Sequence, residues 1–236
     1  MPMSPRDHEI PSMHAARSFW RGVRLGVPIL LGYLPVGIAF GVLATTEGLS
    51  PLQTITCSAT AIAGAGQFIG LSLMSAGESV AGVLAATSIV NLRYVLFGAS
   101  LSTHMGAIPP AGQAALAYSV TDETFAVNTD DHRRGLADGW SMAGVGAVSW
   151  VGWVAGTAVG ALAASVVGDP SRFGAEFAMP AMFAALLVGQ VESRRHVAIG
   201  LVAAVLALVF ALILPGKWFV VAAAIAGATI GAAVFR

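Results

Sequence analysis

Seven apolar runs, at about 26–46, 52–76, 79–102, 138–165, 175–192, 196–214 and 217–235, are each long enough to cross a bilayer, and together they take up most of 236 residues. A helical crossing uses about 20 residues, so little chain remains for a water-soluble catalytic domain. Only 10% of the residues are charged and 56% are apolar, whereas an ordinary globular domain is roughly 25% charged. Lipid must therefore solvate much of the surface, and the expected fold is an all-α, polytopic membrane helical bundle. Twelve basic residues balance twelve acidic ones, without the clustered Lys and Arg that phosphate binding needs, so a nucleic-acid partner is excluded. The single Cys57 can form neither an intrachain disulfide nor a metal site by itself, and reads as packing.

Residues 1–24 form a polar lead-in with Arg6, Arg17, Arg21 and Arg24, expected on the cytoplasmic side, ahead of a single transmembrane domain over 25–236. No small-residue cleavage site follows the first apolar run, so retention of that segment is expected. The region 106–130 is apolar enough to cross but contains adjacent Asp122 and Glu123. If it crosses, the eight spans place Arg6, Arg17, Arg21, Arg24, Arg133, Arg134, Arg194, Arg195 and Arg236 inside, with Arg172 and Lys217 outside. That is nine basic residues against two. If it does not cross, the division becomes six against five and the positive-inside bias disappears. Crossing is the expectation.

An ionisable group at the bilayer centre costs at least ~2.5–3.5 kcal/mol. Adjacent helical residues point about 100° apart, so Asp122 and Glu123 cannot share one partner in one direction. One of them is expected to face a wet cavity or to be protonated. Arg93, in the sequence Asn91-Leu92-Arg93-Tyr94, is the basic residue placed well inside a predicted helix. Its guanidinium suits a carboxylate bidentately, so it could pair with Asp122, with Glu123, with a substrate carboxylate, or with each in turn. A static buried pair is the alternative, and such pairs contribute little to stability. Function is the preferred reading.

Two further segments, 32–37 (GYLPVG) and 64–68 (GAGQF), read as weak points in their helices. Freed backbone groups at membrane depth require protein or a water-lined cavity around them, and broken transporter helices place such ends beside substrate charge. Small residues are also the ordinary means of close helix packing, and packing is preferred for Gly32, Gly37 and Gly41. Gln67 and Asn91 fit interhelical glue and site roles equally. A possible internal repeat links Gly37, Gly41 and Pro51 to Gly156, Gly160 and Pro170 at an offset of 119, and Gly70 to Gly189. With 106–130 crossing, the two copies would run parallel.

The segments GYLPVGIAFG (32–41), GAGQF (64–68), NLRYVLFGASL (91–101) and TDETFA (121–126), with the W-x-x-GT pattern at 153–157, together resemble the AzlC/BrnF family. This family comprises the large subunits of two-component branched-chain amino acid exporters. The likeness covers about 26–215. It implies export of leucine, isoleucine, valine and sometimes methionine or analogues, and a small AzlD/BrnE-type membrane partner. Nothing in the chain resembles a coupling loop for an ATPase partner.

The residue types also suit a zwitterion, which needs a cation for its carboxylate, an acidic or carbonyl group for its ammonium and an apolar pocket. Arg93, Asn91, Gln67 and Gly66 are the candidate polar contacts, and Phe40 and Phe68 the apolar ones. Asp122 and Glu123 are candidates for the ammonium or for a coupling proton. No cofactor or metal is implied, and the absence of H-E-x-x-H and G-x-S-x-G argues against an enzyme. A passive channel and a non-transporting assembly subunit are the rival classes.

Overall fold

The computed structural model describes residues 11–106, 108–167, 184, 188, 191, 193–213 and 218–234. Among them the secondary structure is helical, without strands. The chain divides into two compact units, Met1–Ala178 and Met179–Arg236. Four described helices are long and apolar enough to cross a membrane. The expected spans at 196–214 and 217–235 are helical over Arg194–Ile213 and Trp218–Val234, whereas 175–192 apart from 184, 188 and 191, together with Pro170, Arg172, Lys217 and Arg236, lies outside the described residues.

In the first unit, α1 (Pro11–Thr46) runs unbroken through Pro28 and Pro35. The lead-in is therefore helical from Pro11, and the weak point expected at 32–37 remains helix. Prolines are tolerated at membrane depth where neighbouring helices support the freed carbonyls. Here α7 (Gly139–Val167) lies along α1. Gly22 meets Ser141, Gly26 meets Val145, Gly37 meets Gly156 and Gly41 meets Gly160. All four pairs are 119 residues apart, so the helices run parallel and the sequence echo is a packing register. Missing side chains allow the two backbones to touch: a Cβ on Gly37 would lie 2.8 Å from the Trp153 carbonyl oxygen.

The expected span at 52–76 is instead two short helices, α2 (Pro51–Thr60) and α3 (Gly64–Ser75). Ser50 opens α2 with a capping box, and the chain leaves helical geometry between Thr60 and Gly64. Along α2 the chain descends beside α7, with Ser58 bonded to Thr157 and Ala59 to Trp150. It then reverses. Gly64 lies against Trp153, Gly66 against Asn91 and Gly70 against Thr87 and Val83 of α4 (Val80–Ser102), which runs antiparallel to α3. The segment enters and leaves at the same end.

The segment 106–130 behaves likewise from the opposite end. Ile108 and Leu116 flank Gly139 at the start of α7 while α5 (Pro110–Tyr118) climbs until Ser119 reaches Gly146. Then α6 (Asp122–Arg133) returns, with Glu123 level with Tyr33 and Asp131 level with Arg21. Leu101, Met105, Leu116, Val120 and Met142 form the core beneath this second hairpin, with Phe97 and Phe125 packed on it. Complete crossings at 52–76 and at 106–130 are thus both corrected to re-entrant hairpins. Either pair of events leaves the chain on the same side, so Arg133 and Arg134 still share an end with Arg21 and Arg24, as the arginine bias requires.

The second unit pairs α8 (Arg194–Ile213) with α9 (Trp218–Val234). Gly227 packs on Ala203 and Gly231 on Ile199, so these two helices are antiparallel.

Candidate functional site between the hairpin tips

Both hairpins turn at the same depth, and their breaks meet. Tyr118 of the second hairpin donates to the Ala59 carbonyl near the end of α2, and Trp150 Nε1 donates to the same oxygen at 3.1 Å. These side chains satisfy a carbonyl that the end of the helix leaves without an intrahelical partner. On the other hairpin, Thr121 caps α6 and forms a capping box with Thr124, so Asp122 and Glu123 occupy the first turn. Carboxylates are favoured there by the positive end of the helix dipole. The T-D-E-T run is itself a helix-start signature, and it marks the break that hydropathy does not reveal.

The two acids have different partners. Asp122 pairs with Arg93, whose Nη1 lies 2.8 Å from one carboxylate oxygen and 3.0 Å from the other. One nitrogen serves both oxygens, so the expected two-nitrogen fork does not form. Nη2 instead donates to the Tyr94 hydroxyl at 3.2 Å, and the guanidinium sits 5.0 Å from that ring's centre. Glu123 accepts from the Tyr33 hydroxyl at 2.5 Å, and the same hydroxyl lies 2.8 Å from Thr121 Oγ1.

Two buried side-chain polar atoms on α4 have no partner among the described residues. They are Arg93 Nε, a donor, and Asn91 Oδ1, an acceptor. Asn91 faces the first turn of α3, where a Cβ on Gly66 would come within 2.8 Å of its amide nitrogen. Gly66 thus has to be small for the tip of one hairpin to reach α4.

The remaining expected site residues are engaged elsewhere. Gln67 donates to Ser58 Oγ at 3.0 Å and accepts from Trp153 Nε1 at 2.9 Å, so both ends of its amide are used. Phe40 and Phe68 are 2% and 0% exposed, packed edge to face at 5.4 Å with Phe40 stacked on Trp153. They form a closed aromatic core, not an open wall. Sequence reasoning missed Tyr33, Tyr94 and Trp153; a tyrosine hydroxyl inside an apolar run was the available signal for the first two.

No three acidic, histidine or cysteine side chains among the described residues group as metal ligands. The fold and this central polar cluster define a polytopic α-helical membrane protein with a discontinuous core. The chain belongs to the AzlC protein family, whose pattern it matches over residues 28–167. It is 32% identical to the inner membrane protein YgaZ of Escherichia coli, over 77% of each chain. It is 31% identical to an uncharacterized membrane protein of Archaeoglobus fulgidus, over 92% of this chain and 95% of that one. It is 28% identical to the branched-chain amino acid transport protein AzlC of Bacillus subtilis, over 72% and 67% respectively. No solved structure matches.

Proposed function

We propose that this chain is the large subunit of a secondary transporter that exports leucine, isoleucine and valine from the cell, driven by the proton gradient. It acts with a small AzlD-type membrane subunit, as a transporter and not an enzyme. The observation that supports this most directly is the unpartnered donor beside an ion pair. Arg93 Nε offers a donor to a substrate carboxylate, while Asn91 Oδ1 is an unpaired acceptor on another side of α4, toward α3. A buried polar group without a partner is costly, and a substrate carboxylate supplies the acceptor that Arg93 Nε lacks. The family membership and the name of the Bacillus relative support this substrate class. The concentration of Arg21, Arg24, Arg133 and Arg134 at one end supports a cytoplasmic N-terminus in the cell inner membrane.

Everted vesicles from cells that express the chain with its neighbouring small subunit should accumulate labelled leucine when acidified inside, and an uncoupler should abolish this. Leucine uptake that matches empty-vector vesicles would overturn the proposal. Unaltered transport with the small subunit alone would assign the substrate path to the partner.

A further inference from the structure

We infer that Glu123, and not Asp122, is the carboxyl that takes up and releases the transported proton, and that Tyr33 is its positioning residue. This rests on the proton-driven reading above. The geometry separates the two acids. Asp122 is already neutralised by the Arg93 guanidinium at 2.8 Å, and a proton added there would leave that cation unpaired. Glu123 has a neutral partner. Its Oε2 is 2.5 Å from a phenol oxygen that can donate to it or accept from it.

The phenol has a single proton and two oxygens within reach, Glu123 Oε2 at 2.5 Å and Thr121 Oγ1 at 2.8 Å. With Glu123 ionised, Tyr33 donates to it. With Glu123 protonated, the carboxylic O–H donates to Tyr33, and the phenol proton swings to Thr121 Oγ1. Thr121 then donates to Thr124 Oγ1, 3.3 Å away, which in turn bonds the Ser119 carbonyl at 2.8 Å. One proton enters from water and one leaves to water; the hydroxyls between only exchange donor and acceptor roles. The state of Glu123 thereby reaches Thr121, the cap of α6, and Ser119, the turn of the hairpin. Besides Tyr33, the titratable groups that interact with Glu123 among the described residues are Tyr94 on α4 and Asp122 on its own helix, and Arg93 acts on those two. From α7 the neighbour of Tyr33 is Trp153, ring centres 5.6 Å apart, which does not titrate.

The test uses the full chain reconstituted in lipid, with infrared titration of protonated-carboxyl absorption as the direct readout. A carboxyl band that titrates should vanish in Glu123→Gln and persist in Asp122→Asn. Tyr33→Phe keeps the ring on Trp153 and should move the band's midpoint by about half a pH unit or more. A band lost in Asp122→Asn and kept in Glu123→Gln would overturn the inference, as would a midpoint that Tyr33→Phe leaves in place. Gradient-free leucine exchange beside gradient-driven efflux separates the two readings. Glu123→Gln should lose at least tenfold of gradient-driven efflux, while exchange by the wild-type complex shows that leucine is moved at all. Failure of the wild-type chain, reconstituted together with its small subunit, to move leucine would sink the transport reading, while the infrared result would still decide which acid titrates.

Discussion

Arg21 on α1 grips Asp131 on α6 through two parallel hydrogen bonds, of 2.6 and 2.8 Å, and its Nη2 also reaches the Leu136 carbonyl. With Ser18 bonded to Asp138 at 2.6 Å, this fastens the base of the second hairpin to the first helix. The Asp131 side chain is 9% exposed, so the contact is charged, forked and largely desolvated at one end. Arg21→Lys keeps the charge but loses the fork. It should lower thermal stability in detergent measurably, and Arg21→Ala should lower it more, by about 1.5–3 kcal/mol. An unchanged melting temperature in Arg21→Ala would show that the hairpin base is held by other contacts.

The α1–α7 seam predicts a graded series at glycines. A Cβ on Gly41 would collide with the Thr157 carbonyl and lie 2.6 Å from Ala161 N, whereas nothing lies within 4 Å of one on Gly32. Gly41→Val should therefore destabilise by about 1–3 kcal/mol or abolish the folded yield. Gly32→Ala should be neutral or add up to about 1 kcal/mol, because alanine is the better helix former. Size-exclusion profiles with melting curves decide between these outcomes, and equal behaviour of the two variants would contradict the packing register.

At the ion pair, one Arg93 nitrogen contacts Asp122, so a lysine can restore that contact but not the Tyr94 bond or the Nε donor. Arg93→Lys should retain near-normal folded yield yet lose at least tenfold in leucine efflux, close to the loss in Arg93→Ala. Full activity in Arg93→Lys would reduce the guanidinium to a point charge.

His132 in the last turn of α6 packs against His104 with the rings tilted, centres 4.7 Å apart, and its Nε2 is buried without a partner among the described residues. Burial, reinforced by His104 and opposed by Asp131, holds His132 below the ordinary histidine value of 6.5. The unfolded chain then binds the proton more readily, so stability is complete above about pH 6.5 and declines as the pH falls below it toward the folded-state value. His132→Gln should flatten the decline in melting temperature between about pH 6.5 and 5. A decline of the same slope in the variant would assign it to other groups.

Composition and hydropathy are enough to give the class of protein. Length, apolar runs and sparse charge leave only helices in lipid, and the arginine distribution places Arg133 and Arg134 with the N-terminal arginines. That Arg93 needs a partner, with Asp122, Glu123 or a substrate carboxylate as the choices, was also legible, because isolated charges at membrane depth require partners. Hydropathy measures the cost of moving a segment out of water, however, not the direction in which the chain then travels. Charge bookkeeping sees only on which side each loop ends. Two reversals, at Ala61–Ala63 and Ser119–Thr121, leave both signals as two full crossings would. Tertiary contacts alone decided the matter: Ser58 descends beside Thr157 and Gly70 climbs beside Thr87, while Glu123 meets Tyr33 and Asp131 meets Arg21. Those contacts turned Phe40, Phe68 and Gln67 into enclosed, fully bonded structure and left buried polar atoms without partners on α4, because which groups a segment pairs depends on partners distant in the chain.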